Sequence, residues 1–277
     1  MKVALLGLGL IGGSLAKAFK TYTDSTVYGF DTDPATLAYA KLSEAIDDTL
    51  TDEFLKEADL ILFALYPQTT IDVLREKAPL IRKGALVIDT SGTKRTVCRA
   101  GFQLAEEYGF TFVGGHPMAG TQFSGIKYSR AELFKGASMI LVPPHLDDMA
   151  FLTSIKALFL PLGFASVTVT TPEKHDEIIA FTSQLAHIVS SAYIKSDTAK
   201  LHHGFSAGSY KDMTRVATLN DTMWTELFLE NRDNLIHEID NIIAALTDYR
   251  AALQDNDDVR LSALLREGTA DKNRIDG

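Results

Sequence analysis

The chain of 277 residues has one cysteine, Cys98, and one tryptophan, Trp224. A single thiol excludes an intrachain disulfide and any cysteine-based metal site, and fits a reducing cytoplasm. Positive charge is scarce: 27 Lys and Arg against 36 Asp and Glu give a net charge of −9. That balance disfavours a nucleic-acid partner, whose phosphates select basic surfaces. No stretch approaches the ~18 apolar residues of a membrane span. Lys2 followed by the apolar run Val3–Leu15 imitates a secretory leader, but Gly7, Gly9, Gly12 and Gly13 interrupt it. A cytoplasmic protein without a membrane span, a metal or nucleic acid is therefore expected.

What is present is ordinary globular composition, 46% apolar and 23% charged, and enough chain for two domains. The first part alternates short apolar runs with amphipathic segments. Lys2–Gly7, Ser25–Phe30, Asp59–Ala64, Ala85–Asp89, Phe110–Gly114, Ser138–Val142 and Phe164–Val169 read as strands. Leu10–Lys20 and Lys94–Tyr108 read as helices. This alternation predicts an α/β fold with a mostly parallel, doubly wound sheet. After Thr170-Thr171-Pro172 the pattern becomes helical, with Thr171 as cap and Pro172 in the first turn. Helices are expected over Pro172–His203, Tyr210–Ala217 and Thr225–Gln254, and the polar tail Glu267–Gly277 is expected to be mobile. The predicted division is an N-terminal Rossmann domain over residues 1–171 and an all-α domain over 172–277. Residues 173–194 are apolar over a wide arc, and Ile236, Ile239, Ile243, Leu246, Tyr249 and Leu253 form a stripe. Faces of that extent suggest a homodimer, with an intrachain core as the alternative.

Gly7-Leu8-Gly9-Leu10-Ile11-Gly12-Gly13 follows a strand and opens a helix, the context of a dinucleotide fingerprint. Gly7 would make the turn, Gly9 would admit a pyrophosphate, and Gly12 would let the helix pack on the strand. Leu10 and Ile11 would offer helix N-terminal amides to the phosphates. Asp31 ends the second strand and suits a ribose 2′-hydroxyl; a carboxylate there repels a 2′-phosphate. NAD is thus favoured over NADP, with FAD as a lesser alternative.

Gly114-Gly115-His116-Pro117-Met118-Ala119-Gly120 places a histidine on a stiff, extended turn at the end of a late strand. Ligands bind at that edge of such sheets, and histidine suits proton transfer near neutrality. The alternative is a structural histidine. Ser91, in Asp89-Thr90-Ser91-Gly92-Thr93-Lys94, would bond a substrate hydroxyl, cap the helix near Lys94, or both. Asp176, Ser183 and His187 are spaced to share a helix face, either lining a cleft or satisfying one another. Asp212 and Arg215 lie three apart. Arg215 would grip a substrate carboxylate or merely join a surface ion pair. His202 and His203 read as exposed, and His145 and His237 suggest no role.

Together these segments resemble the prephenate/arogenate dehydrogenase family of tyrosine biosynthesis over nearly the whole chain. The resemblance rests on Gly7–Gly13, Asp89–Lys94, Gly114–Gly125, His175-Asp176, Ser183–His187 and Asp212–Ala217. It implies oxidative decarboxylation of prephenate to 4-hydroxyphenylpyruvate with NAD. It also implies His116 as catalytic histidine and Ser91 as its hydroxyl partner. Arg215 would then bind a substrate carboxylate, with His187, Gly120 and Thr121 also at the substrate. Gln122 stands where the family usually has Glu, and Ala186 where it usually has Pro. The first change removes a charge expected to join Asp212 and Arg215; the second puts a helix kink in question. Within residues 1–277 neither the regulatory domain nor the mutase domain of some members is expected.

Arogenate, with an amine in place of the side-chain ketone, is the alternative substrate. A β-hydroxyacid dehydrogenase is a rival enzyme, although Lys174 and Lys195 lie in no matching motif. A non-catalytic NAD sensor would leave His116, Ser91 and Arg215 idle. Asp31→Ala should lower the NAD/NADP ratio of kcat/KM, and an unchanged ratio would place ribose reading elsewhere.

Overall fold

The computed structural model describes residues 1–121 and 123–276, so Gln122 lies outside the described residues. Eight strands form one sheet: β1 (Lys2–Leu6), β2 (Thr26–Phe30), β3 (Asp48–Thr49), β4 (Leu60–Phe63), β5 (Leu86–Asp89), β6 (Thr111–Pro117), β7 (Ser138–Val142) and β8 (Ser166–Val169). Their order is β3-β2-β1-β4-β5-β6-β7-β8, parallel except for β6 against β7. The order reverses beside β1, which makes the crevice at its carboxyl end a ligand site. Strands β1, β4 and β5 are almost wholly apolar because both faces are covered.

The connecting helices are α1 (Leu10–Tyr22), α2 (Pro34–Leu42), α3 (Asp52–Glu57), α4 (Pro67–Lys77), α5 (Arg95–Tyr108) and α6 (Met149–Phe159). One core packs Leu5, Leu15, Phe19, Leu62, Phe134 and Phe159; the other packs Leu6, Phe63, Leu74, Val87, Cys98 and Phe112. Two of the sterically fixed glycines shape the site. A Cβ on Gly12 would fall 1.9 Å from the Gly7 carbonyl oxygen, and one on Gly115 would fall 2.4 Å from that of Asp89. The first allows α1 to approach β1; the second lets β6 slide close to the end of β5.

Beyond β8 the chain is helical: α7 (Pro172–Ile179), α8 (Ala186–Tyr193), α9 (Gly208–Thr214), α10 (Asp221–Glu230), α11 (Arg232–Gln254) and α12 (Asp258–Asp276). No helix among the described residues is long and apolar enough to cross a membrane. Four expectations need correction. Pro172–His203 is not one helix: a π turn over 180–185 separates α7 from α8, and the α-helix stops at Tyr193. The turn forms with Ala186 at its end, so the distortion does not need a proline there. Thr225–Gln254 breaks at Asn231, whose side chain is used for tertiary bonds. Residues 267–276 continue the helix α12, whose earlier turns are tied to α11 by Arg260–Asp248 at 2.8 Å and by the Tyr249 hydroxyl donating to the Leu264 carbonyl at 3.3 Å. Finally, His116 lies within β6, opposite Ile140 of β7, and not in a turn after the strand.

Asn231 is fully buried and joins the two parts of the chain. Its amide donates to the Asp176 carbonyl and to Gln184 Oε1, both at 2.8 Å. Its oxygen accepts from Arg95 at 3.1 Å. Asn231→Ala would strand these buried partners, each costing about 1–3 kcal/mol. The expected loss is about 2–4 kcal/mol in urea unfolding; a change below ~0.5 kcal/mol would mean that water replaces the amide.

Candidate active site

The glycine turn has the shape of a phosphate cradle. Gly7 adopts φ +90, a left-handed conformation that suits glycine, and its amide donates to the Phe30 carbonyl at 2.8 Å. A Cβ on Gly9 would meet nothing within 4 Å, so the turn faces open space. The α1 N-terminus has no side-chain cap and no acidic residue in its first turn. Its amides, including those of Leu10 and Ile11, are therefore left for an anion. Asp31 reaches the same turn: its carboxylate accepts from the Leu8 amide at 2.8 Å and the Asp33 amide at 2.9 Å. The group that would read a ribose thus also pins the phosphate turn. These residues fit NAD.

The second cluster lies where β5 and β6 end. Asp89 and Lys94 form an ion pair with both side chains fully buried. The remaining capacity of Asp89 is spent on backbone: it accepts from the Ser91 amide at 2.8 Å and the Gly115 amide at 3.1 Å. One carboxylate therefore fixes the residue before His116 and the backbone of Ser91. The Ser91 side chain is buried, with long contacts to the Leu65 carbonyl at 3.4 Å and Thr70 Oγ1 at 3.5 Å. It does not cap α5. That role falls to Asp176 of α7, which accepts from the Lys94 amide at 2.7 Å and the Arg95 amide at 3.0 Å. Arg95 also donates from Nε to Asp176 at 3.3 Å and from a terminal nitrogen to Asp233 at 2.8 Å.

His175 turns this anchor into a relay. Its Nδ1 is 2.7 Å from Asp176 Oδ1, and its Nε2 is 2.9 Å from His116 Nδ1. An ionised carboxylate only accepts, so His175 carries its proton on Nδ1. The neutral His175 Nε2 then accepts, and His116 donates from Nδ1. His116 Nε2 is left with a lone pair and no partner among the described residues. Burial pushes the His116 imidazole well below the ordinary histidine value, with the charges of His175 and Lys94 adding to the shift. Burial also lowers His175, against the opposing pull of its bond to Asp176. Asp176 lies below the usual carboxylate range because its bonds to His175 and the Arg95 amide outweigh its burial. At neutral pH the site is an uncharged base backed by a charged acceptor.

The Asp176, Ser183 and His187 face does not form. The π turn inserts an extra residue, rotating His187 by about 100° from the α-helical position. Asp176 faces α5, whereas His187 Nδ1 donates to the Val216 carbonyl at 3.0 Å. Trp224 lies against the His187 ring, with centroids 4.0 Å apart. Arg215 is exposed and makes no hydrogen bond or ion pair among the described residues, Asp212 included. Its positive charge nevertheless reaches His187 and helps hold it neutral, after burial. Gly120 has open space where a Cβ would stand, and the Thr121 hydroxyl donates to the Phe123 carbonyl at 3.1 Å.

The structure therefore gathers His116 and Ser91 at one strand edge and His187 with Arg215 at another locus. Sequence reasoning gave no individual role to His175, Asp89, Lys94 or Asn231. The adjacent His175-Asp176 pair just inside a Thr-Pro helix start was the available signal. No group of three or more His, Cys, Asp or Glu among the described residues could hold a metal.

The family described as prephenate dehydrogenase, nucleotide-binding domain, matches residues 15–168, and prephenate dehydrogenase, dimerization domain, matches 171–267. A prephenate dehydrogenase of Bacillus subtilis is 32% identical over 92% of this chain and 71% of its own length. A cyclohexadienyl dehydrogenase of Zymomonas mobilis is 30% identical over 92% and 89%. The prephenate dehydrogenase of Aquifex aeolicus in complex with hydroxyphenyl propionate and NAD+ superposes with a TM-score of 0.84 at 27% identity, covering 99% of this chain and 98% of that one.

The histidines make stability acid-sensitive. The unfolded chain binds protons at His116 and His175 near the ordinary histidine value of 6.5, while the folded chain binds them only at lower pH. Stability is therefore lost as pH falls through that value, by up to about 1.4 kcal/mol per histidine per pH unit. Urea midpoints measured from pH 7.5 down to 5 should fall accordingly; a flat series would mean that these imidazoles charge freely in the fold.

Proposed function

The chain belongs to the prephenate dehydrogenase family, and we propose that it oxidises prephenate with NAD to 4-hydroxyphenylpyruvate and CO2. The observation that carries this reading is the His116 Nδ1 to His175 contact, which leaves Nε2 as a positioned proton acceptor at the ligand edge of the sheet. NAD supplies a two-electron acceptor for the hydride at C4 of the substrate. His116 Nε2 takes the proton of the C4 hydroxyl as the carbonyl forms there. The bond to the ring carboxylate then breaks, and its electron pair completes the aromatic ring. Ser91, held only by long contacts, is the second hydrogen-bond partner of the C4 oxygen. Arg215, unpaired among the described residues, binds a carboxylate, His187 presents Nε2 to the substrate, and Gly120 and Thr121 line its approach. Asp31 reads the ribose hydroxyls.

Residues 1–171 carry the nucleotide and 172–277 complete the substrate site in this reading. The second part also pairs two copies. Ile236, Ile243, Leu246 and Leu253 of α11 are each more than half exposed, an apolar stripe that a partner helix would bury. The single thiol, Cys98, is buried and suits the cytoplasm, where we place the enzyme.

Steady-state rates with prephenate and arogenate, each with NAD and NADP, test the assignment. Prephenate with NAD should give the highest kcat/KM; preference for arogenate would assign the amine side chain, and inertness to both would overturn the reading. His116→Asn should lower kcat by about 10²–10⁴-fold and leave NAD affinity near wild type.

A further inference from the structure

The chemistry of the reaction sets a constraint on the base. Prephenate enters with two carboxylates, and the product keeps one carboxylate and a neutral phenol. The hydride leaves with its two electrons, and the other carboxylate leaves as CO2. Atoms and charge then balance without any net proton. The proton taken from the C4 hydroxyl must be matched by one returned to the same oxygen, which becomes a phenolate when the ring aromatises. A base that loses its proton to water between these steps must recover one.

We infer that His116 and His175 act as one base, and that the positive charge of the proton taken from the substrate is held on buried His175 against Asp176 until a proton is returned. This rests on the reaction proposed above. The movement follows from the geometry. The C4 hydroxyl proton goes to His116 Nε2. The proton on His116 Nδ1 crosses 2.9 Å to His175 Nε2. His175 then carries protons on both nitrogens and donates from Nδ1 to Asp176 Oδ1 at 2.7 Å. His116 is left neutral as the other tautomer, its Nδ1 accepting and its Nε2–H facing the substrate oxygen. When the phenolate forms, Nε2 gives up its proton and the two transfers reverse.

His175 is the better store for two reasons. Its side chain is fully buried and Asp176 is 1% exposed, so a proton there is shielded from water. It also touches a full negative charge, whereas His116 touches only a neutral ring. The charged groups around the pair are Asp89 and Lys94 at the end of β5, Arg95 at the start of α5, and Asp176 beside His175 on α7. Glu230 of α10, bonded to Thr93, and Asp233 of α11, bonded to Arg95, stand behind them. Lys94 is paired with Asp89, and Arg95 is shared between Asp176 and Asp233. Among the described residues Asp176 is the one carboxylate bonded to His175. It is held by Arg95 and two backbone amides, bonds that keep it ionised and leave the transferred proton on the imidazole.

Three measurements test the store. Histidine 15N spectra of the wild-type protein without substrate should show Nδ1–H on both rings at neutral pH. On acidification, His175 should gain the proton and His116 should switch to Nε2–H; imidazolium at His116 with His175 neutral would overturn the proposal. In a stopped-flow turnover with a pH indicator, hydride transfer should release no proton to solvent; a proton burst matching the reduced cofactor would overturn it. Asp176→Asn should lower kcat about a hundredfold, hold KM for NAD within threefold, and move the acid limb of the kcat profile to lower pH. An unmoved limb would mean that Asp176 only braces α5. Wild-type turnover of prephenate tests the reaction separately, and the spectra test the pair without it.

Discussion

The Asp176 carboxylate is the point on which the site depends. It accepts from the Lys94 and Arg95 amides, from Arg95 Nε and from His175 Nδ1. Each bond answers a different need. The first two satisfy amides at the start of α5, which has no cap of its own. The third joins the helical part to the Rossmann part. The fourth fixes the tautomer of His175 and, through it, that of His116. A buried carboxylate is costly unless its lone pairs are filled, and this one is filled from several elements. Fold closure and base orientation therefore share one group.

The Asp89–Lys94 pair plays a complementary part. Both side chains are fully buried, so the pair is weak evidence for stability. Its value lies in placement. Asp89 holds the Ser91 and Gly115 amides, and Lys94 places a positive charge near two imidazoles that burial already keeps neutral. A neutral imidazole is the form that can take a proton. Its lowered basicity weakens the driving force for that step.

Much of the nucleotide half was legible because its signals are local. Gly7, Gly9 and Gly12 act through backbone clearance within one turn, and the apolar runs of β1, β4 and β5 identify strands covered on both faces. The comparisons bear out the family, the fold class, the enzyme class and NAD. The helical half was legible as helical but not in its breaks. Nothing in the periodicity marks the π turn at 180–185, and Asn231 reads as an ordinary helix residue until its tertiary partners are known. The polar tail shows the opposite error. Polar composition alone suggested mobility, whereas residues 267–276 continue α12, a helix whose ties to α11 lie earlier, at Arg260 and Leu264.

The sequence by itself determined the alternation of strands and helices in the first part, the helical character of the second, the phosphate turn, the acid after β2 and the His116 segment. These depend on residue size, backbone freedom and short spacing, which the linear chain records. The tertiary structure decided that His116 lies within a strand and that His175 stands behind it. It also decided that Asp176 turns toward α5 and away from His187. Those outcomes depend on how buried donors and acceptors pair across 59 residues for the two histidines and 82 for Asp176 and Lys94. Such pairing is set by the global requirement that buried polar groups be satisfied, and no local pattern encodes it.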